Sequence, residues 1–153
     1  MSFTELSQTR QRAWLMTGIW SLAGVGFFLT FFMGGGPGTF PEDSARHLLG
    51  AVFMAFGFGG HGLAWWLTRR RKGGPLLTDE RDFQVSARAS QATLVVVLVV
   101  IFSFTIGLWV AFENEGSVPA GWMWFLAYGE VILAYVTSGV AALIVDGRTG
   151  GHR

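Results

Sequence analysis

The chain has 153 residues, of which 51% are apolar and only 14% charged, with a net charge of +1 and no cysteine. Soluble domains carry roughly 25% charged residues, so an ordinary soluble fold is excluded. Near-neutral charge gives nucleic acid no footing, and the missing cysteine excludes disulfides, thiolate metal sites and thiol redox chemistry.

Four apolar stretches, residues 13–33, 48–68, 92–112 and 121–145, fill most of the chain. Each is long enough to cross a hydrocarbon core of ~30 Å at ~1.5 Å per helical residue. We therefore expect one all-α domain over residues 1–153, an integral membrane four-helix bundle built from two transmembrane hairpins.

The first span follows Arg10 and Arg12 and carries no ionisable residue. It is too long for a signal-peptide core, and no small-x-small cleavage site follows it, so a retained helix is expected. Trp14 falls at one boundary, whereas Trp20 lies deeper and is expected to pack inside. Gly34-Gly35-Gly36-Pro37-Gly38 reads as a flexible turn. Glu42 and Asp43, with Glu113 and Glu115 in the last loop, give that side a mildly acidic rim of solvated charge.

The second span contains His61, whose helical face also holds His47, Gly50, Met54, Gly57 and Ala64. Two histidines fourteen residues apart, separated by ~21 Å of rise, suit b-type haems when a second helix offers matching histidines. None does here; the remaining histidine is His152 in the tail, and no cofactor is expected. The run Gly57-Phe58-Gly59-Gly60-His61-Gly62 matches G-x-G-x-x-G, but it lies inside a hydrophobic span rather than between a strand and a helix N-terminus, so it is not a nucleotide site. Membrane packing explains its glycines better. Ala51, Ala55 and Gly59 form a small-residue face of the kind that lets helices approach closely, with Gly57 and Gly60 opposite. That points to a central second helix, approached on two sides.

The loop at 69–91 opens with Arg69, Arg70, Arg71 and Lys72, and Gly73-Gly74-Pro75 stops the second helix. A helical extension is expected from about residue 79, with Thr78 as N-cap and Asp79 and Glu80 in its first turn, where acids favour the helix dipole. Arg81 and Arg88 share one face. Exposed ion pairs across this turn are worth ~0–1 kcal/mol each. Residues Arg69, Arg70, Arg71, Lys72, Asp79, Glu80 and Arg81 also offer a docking surface for a partner or for anionic lipid headgroups.

The third span brings Trp109 to the far boundary, and the fourth begins with Trp122 and Trp124. Nine residues into the fourth comes Glu130, roughly 13 Å deep by helical rise. A carboxylate there is costly unless hydrated, paired or protonated. Ala134, Ser138 and Ala142 follow it at intervals of four, so Glu130 is expected to face protein along a small-residue stripe. Tyr128, Tyr135, Thr137 and Ser138 add hydroxyls. The candidate polar site, for ions, protons or helix packing, is Glu130, His61, Tyr135 and Ser138, with Ala134 and Ala142 as packing positions. His61 lies at a different depth, which disfavours a direct pair with Glu130.

Of the 11 lysines and arginines, all except Arg46 fall in the N-terminal segment, the 69–91 loop, or the tail. The positive-inside rule then puts both termini in the cytoplasm, and the expected location is the cell inner (plasma) membrane. Walker A, H-E-x-x-H and a nucleophile in register with a base are all missing, so no enzymatic activity is expected.

The second half carries a resemblance. Asp79-Glu80-Arg81, then Ala87-Arg88-Ala89-Ser90 with Thr93 entering a valine-rich span, and later Gly129, Val131-Ile132-Leu133-Ala134-Tyr135 and Arg148, resemble an uncharacterised family of small prokaryotic predicted membrane proteins of unknown function. The resemblance covers about half the chain and implies a four-helix bundle in a membrane. It brings no known reaction and assigns no functional residue. The expected function is a non-enzymatic multi-pass protein in the lipid bilayer, a homo-oligomer or an accessory subunit of a membrane complex. The alternative is a small proton- or cation-coupled transporter or channel oligomer using Glu130.

Overall fold

A computed structural model describes residues 8–68 and 80–150. Four long helices carry the chain: α1 (Gln8–Met33), α2 (Ser44–Leu67), α3 (Glu80–Phe112) and α4 (Gly121–Gly150). All four are long and apolar enough to cross a membrane, and no strand occurs among the described residues.

The helix ends follow local chemistry. Pro37 and Pro41 sit in two short 3-10 turns, Gly36–Gly38 and Phe40–Glu42, outside the helices whose ladders they would break. Asp43 caps α2, its Oδ1 accepting from the Arg46 backbone N–H at 3.1 Å. α3 is a single helix of 33 residues from Glu80, so the expected extension is continuous with the third span; Thr78 and Asp79 lie outside the described residues.

The extensive interfaces are α1 with α2, α1 with α4, and α3 with α4. Trp20, Ala23, Phe27 and Phe31 recur at helical spacing on α1 and are almost completely buried. The facing helices receive these rings with glycines. A Cβ on Gly57 of α2 would lie 2.7 Å from the Trp20 ring, and one on Gly139 of α4 would run into Thr17 Oγ1. Gly24 of α1 is closed in the same way by Ile132 of α4. Neighbours 13/17 with 139, 24 with 132 and 31 with 122 make α1 and α4 antiparallel.

The expectation of a central α2 is corrected: α1 and α4 each hold two extensive interfaces, and α2 holds one. The reason is size. α1 carries the large buried rings, and α2 needs only one smooth face, Arg46, Gly50, Met54, Gly57 and Ala64, to meet them. α2 reaches α4 through ring contacts, His47 with Trp124 and Phe58 and His61 with Tyr135. α3 touches the rest chiefly through α4 and leaves Leu94, Val95, Leu98, Val99, Phe102 and Val110 exposed.

Candidate functional site

The most strongly organised polar group is Arg46, 6% exposed and three residues into α2. Its Nε donates to the Thr30 carbonyl at 3.1 Å, and Nη1 to the Gly34 carbonyl at 2.8 Å and to Thr39 Oγ1 at 2.9 Å. Nη2 donates to the carbonyls of Phe31 and Gly36. All five N–H groups of the guanidinium are used, and its carbon lies 5.1 Å from the centroid of the Phe40 ring. No described carboxylate bonds it. Two of the acceptors, the Thr30 and Phe31 carbonyls, belong to the last turn of α1, at the negative end of the helix dipole, and the other three belong to the turn that follows it. Gly35 and Gly36, with φ of 106° and 71°, turn the chain so that its carbonyls point at this cation. The glycine turn expected to be flexible is thus fastened from within, and Pro37 O packs against Gly121 of α4.

The opposite end repeats the device. Arg12, near the start of α1, donates through Nε to Thr68 Oγ1 at 2.7 Å and through Nη2 to the Thr68 carbonyl at 3.4 Å, beyond the last turn of α2. Thr68 Oγ1 itself donates back to the Ala64 carbonyl at 2.7 Å. Each helix of the antiparallel pair therefore has its C-terminal end held by an arginine from the start of the other.

The two histidines face inward as their helical face implied, but each meets an aromatic ring of α4. His47 lies 5.0 Å from Trp124 and 4.8 Å from Phe40. His61 lies edge-on to Tyr135 at 4.9 Å. Tyr135 stacks on Trp20 at 4.4 Å with an interplanar angle of 4°, and Trp20, fully buried, is the packing residue its depth suggested. Thr17 Oγ1, Trp20 Nε1 and His61 Nδ1 are buried without a hydrogen bond around this junction.

Glu130 does not join them. It is exposed on α4, so no helix of the same chain covers the small-residue stripe along which it was expected to face protein. Helical geometry explains the difference. Gly121, Phe125, Tyr128, Ile132, Tyr135 and Gly139 form the face turned to α1, and Glu130, nine residues from Gly121, falls about half a turn away. Ala134, Ser138 and Ala142 are half-buried. On α2, Ala51, Ala55 and Gly59 are exposed, because the close approach to α1 uses Gly57 and Gly60 on the other side. Residues Arg69, Arg70, Arg71, Lys72 and Asp79 lie outside the described residues; Glu80 and Arg81 are helical in α3.

No group of three histidine, aspartate or glutamate side chains stands close enough to hold a metal ion among the described residues. Arg46 was the residue that sequence reasoning missed. The available signal was an arginine one turn after a capping aspartate, close behind a glycine-rich helix end.

Compared with known proteins, residues 10–141 match a family described as "Predicted membrane protein (DUF2178)". The match takes in the first two helices as well as the second half. No curated protein and no solved structure matches the chain.

Proposed function

We propose that the chain, which belongs to this family of predicted membrane proteins, is a non-enzymatic subunit that assembles within the plasma membrane through the outward face of α4. In this reading both termini are cytoplasmic, and α1–α2 and α3–α4 are two hairpins entered from that side, as the placement of basic residues favours. The observation that carries the reading is the exposure of Glu130 in the middle of an apolar span. A charged side chain at the centre of a membrane helix costs about 3 kcal/mol against lipid. A single copy offers it no hydrogen bond or ion pair among its described residues, and a neighbouring subunit supplies the missing cover. Ala127 and Ala134 flank Glu130 with small side chains, which admit a neighbouring helix closely. The alternative use of Glu130 as a proton or cation relay has no inward partner in one copy, because His61 meets Tyr135 instead.

The test is Glu130→Leu, which removes the group that lipid penalises. On a native gel in mild detergent the variant should run at a smaller apparent size than the wild type. A wild type and variant that run alike would remove Glu130 from any assembly face.

A further inference from the structure

We propose that α3 carries a binding strip for an anionic phospholipid, with Arg88, Gln84 and Gln91 holding the phosphodiester and Val95 and Val99 lying along an acyl chain. The site stands on membrane insertion alone and is independent of how the chain assembles.

Helix register places it. Thr17 of α1 faces Gly139 of α4, and Gly24 faces Ile132, so Trp14 is level with about residue 142 of α4 by antiparallel helical rise. Phe104 of α3 packs on Trp122 and Phe125 of α4, with ring centroids 5.6 and 5.5 Å away. Counting about eighteen residues inward from that contact along both helices brings residues 142 and 86 to one level. Ile19 on Gly60 and Trp20 on Gly57 put Trp65 of α2 at this level too. Trp14 and Trp65, both exposed, mark the boundary on the side of the termini. α3 therefore crosses that boundary about six residues before the start at 92 that hydropathy gives, and Val85 and Ala89 are already buried. Arg88 was expected in a loop outside the bilayer. It stands at the boundary itself, with Gln91 one turn deeper.

Chemistry and shape then select the ligand. Arg88 is exposed, and Gln84 and Gln91, four residues before and three after, are exposed on the same face. Among the described residues no hydrogen bond or ion pair holds Arg88. A guanidinium and glutamine amides turned to lipid need acceptors, and the boundary offers phosphate and ester oxygens. The planar fork of Arg88 suits a phosphodiester, which takes two parallel N–H bonds. Each glutamine NH2 donates to a remaining oxygen. Further along the face, Val95 and Val99 are exposed. Val99 lies about 16 Å from Arg88 by helical rise, close to half of a ~30 Å hydrocarbon core, so the strip spans one leaflet. The charge on the strip is positive, so a lipid of net negative charge complements it better than a zwitterionic one.

The test uses delipidated protein in mild detergent. It is titrated with phosphatidylglycerol, and separately with phosphatidylcholine of the same acyl chains, and bound lipid is counted by native mass spectrometry. The first phosphatidylglycerol should bind more tightly than the first phosphatidylcholine. Arg88→Gln should weaken phosphatidylglycerol binding about fivefold, the effect of one basic side chain at an anionic surface. Gln91→Leu removes a donor, keeps the charge and should weaken binding by less. Arg148→Gln, exposed near the end of α4, should leave the first site unchanged. Inorganic phosphate should not displace the lipid, because it has no chain to lie on Val95 and Val99. Arg88 is exposed, so its variant should keep the wild-type unfolding midpoint. Equal phosphatidylglycerol binding by wild type and Arg88→Gln would overturn the inference, as would equal losses from Arg88→Gln and Arg148→Gln, the signature of diffuse charge. Displacement by inorganic phosphate would overturn a lipid as the occupant.

Discussion

Nη1 of Arg46 donates to the Gly34 carbonyl at 2.8 Å, so a cation at the start of α2 closes the end of α1. The guanidinium is buried, bonded entirely to uncharged oxygens, and stands where the α1 dipole is negative. Arg46→Leu would leave several buried carbonyls without donors. We expect it to lower stability by about 3 kcal/mol, given that hydrogen bonds from charged groups are worth roughly 1.5–3 kcal/mol each and do not add fully. Arg46→Lys keeps the charge but loses the planar fork, so it should fall between wild type and Leu. Unfolding in a mixed-detergent titration measures both; a Leu variant as stable as wild type would refute the role.

At the other end, Thr68 is the acceptor for Arg12. Thr68→Val keeps the shape and removes the hydroxyl. The expected loss is about 1–2 kcal/mol. In a double-mutant cycle with Arg12→Ala, the pair should couple by at least about 0.5 kcal/mol. Additive losses would mean that the contact contributes no energy of its own.

The glycines of α2 divide by face. Gly57 faces the Trp20 ring at a distance that leaves no room for a methyl group, whereas Gly59 has open space. Gly57→Ala should cost about 1–3 kcal/mol through forced displacement of packed groups. Gly59→Ala should be neutral or stabilising by up to about 1 kcal/mol, because alanine suits a helix better. The same unfolding titration checks the contrast, and equal effects would argue against the α1–α2 register described here.

His61 behaves as a packing residue whose polar atom lacks a partner. His61→Phe should keep the edge contact with Tyr135 and leave stability unchanged or raise it by about 1 kcal/mol, since an unsatisfied buried atom is removed. His61→Ala should lose about 2 kcal/mol of packing. A Phe variant as damaged as the Ala variant would show that the imidazole nitrogens are needed.

How much of this was legible beforehand depended on the kind of signal. Span lengths and loop prolines declare the four helices, because bilayer thickness and the missing proline N–H act on local sequence alone. The burial of Trp20 was legible too, since its depth sets it apart from the boundary tryptophans. Which helices touch was not, because hydropathy is blind to neighbours. Gly57 and Gly59 look alike in sequence, and only the bulk of Trp20 decides which face of α2 is buried. Which neighbour Glu130 faces was not legible for the same reason, and within the single chain it lies exposed. A stripe of alanines and serine reads equally well as an inner seam or an outer one. The role of Arg46 was not legible because its partners are carbonyls, which carry no side-chain signature.

The central claim is that the exposed carboxylate of Glu130 marks an assembly face. The most direct measurement is a native mass spectrum of the protein released from its own membranes in mild detergent. The account predicts a mass that is a multiple of the 16.7 kDa chain, or that chain together with a second protein. A single species of 16.7 kDa under conditions that preserve other membrane assemblies would contradict it.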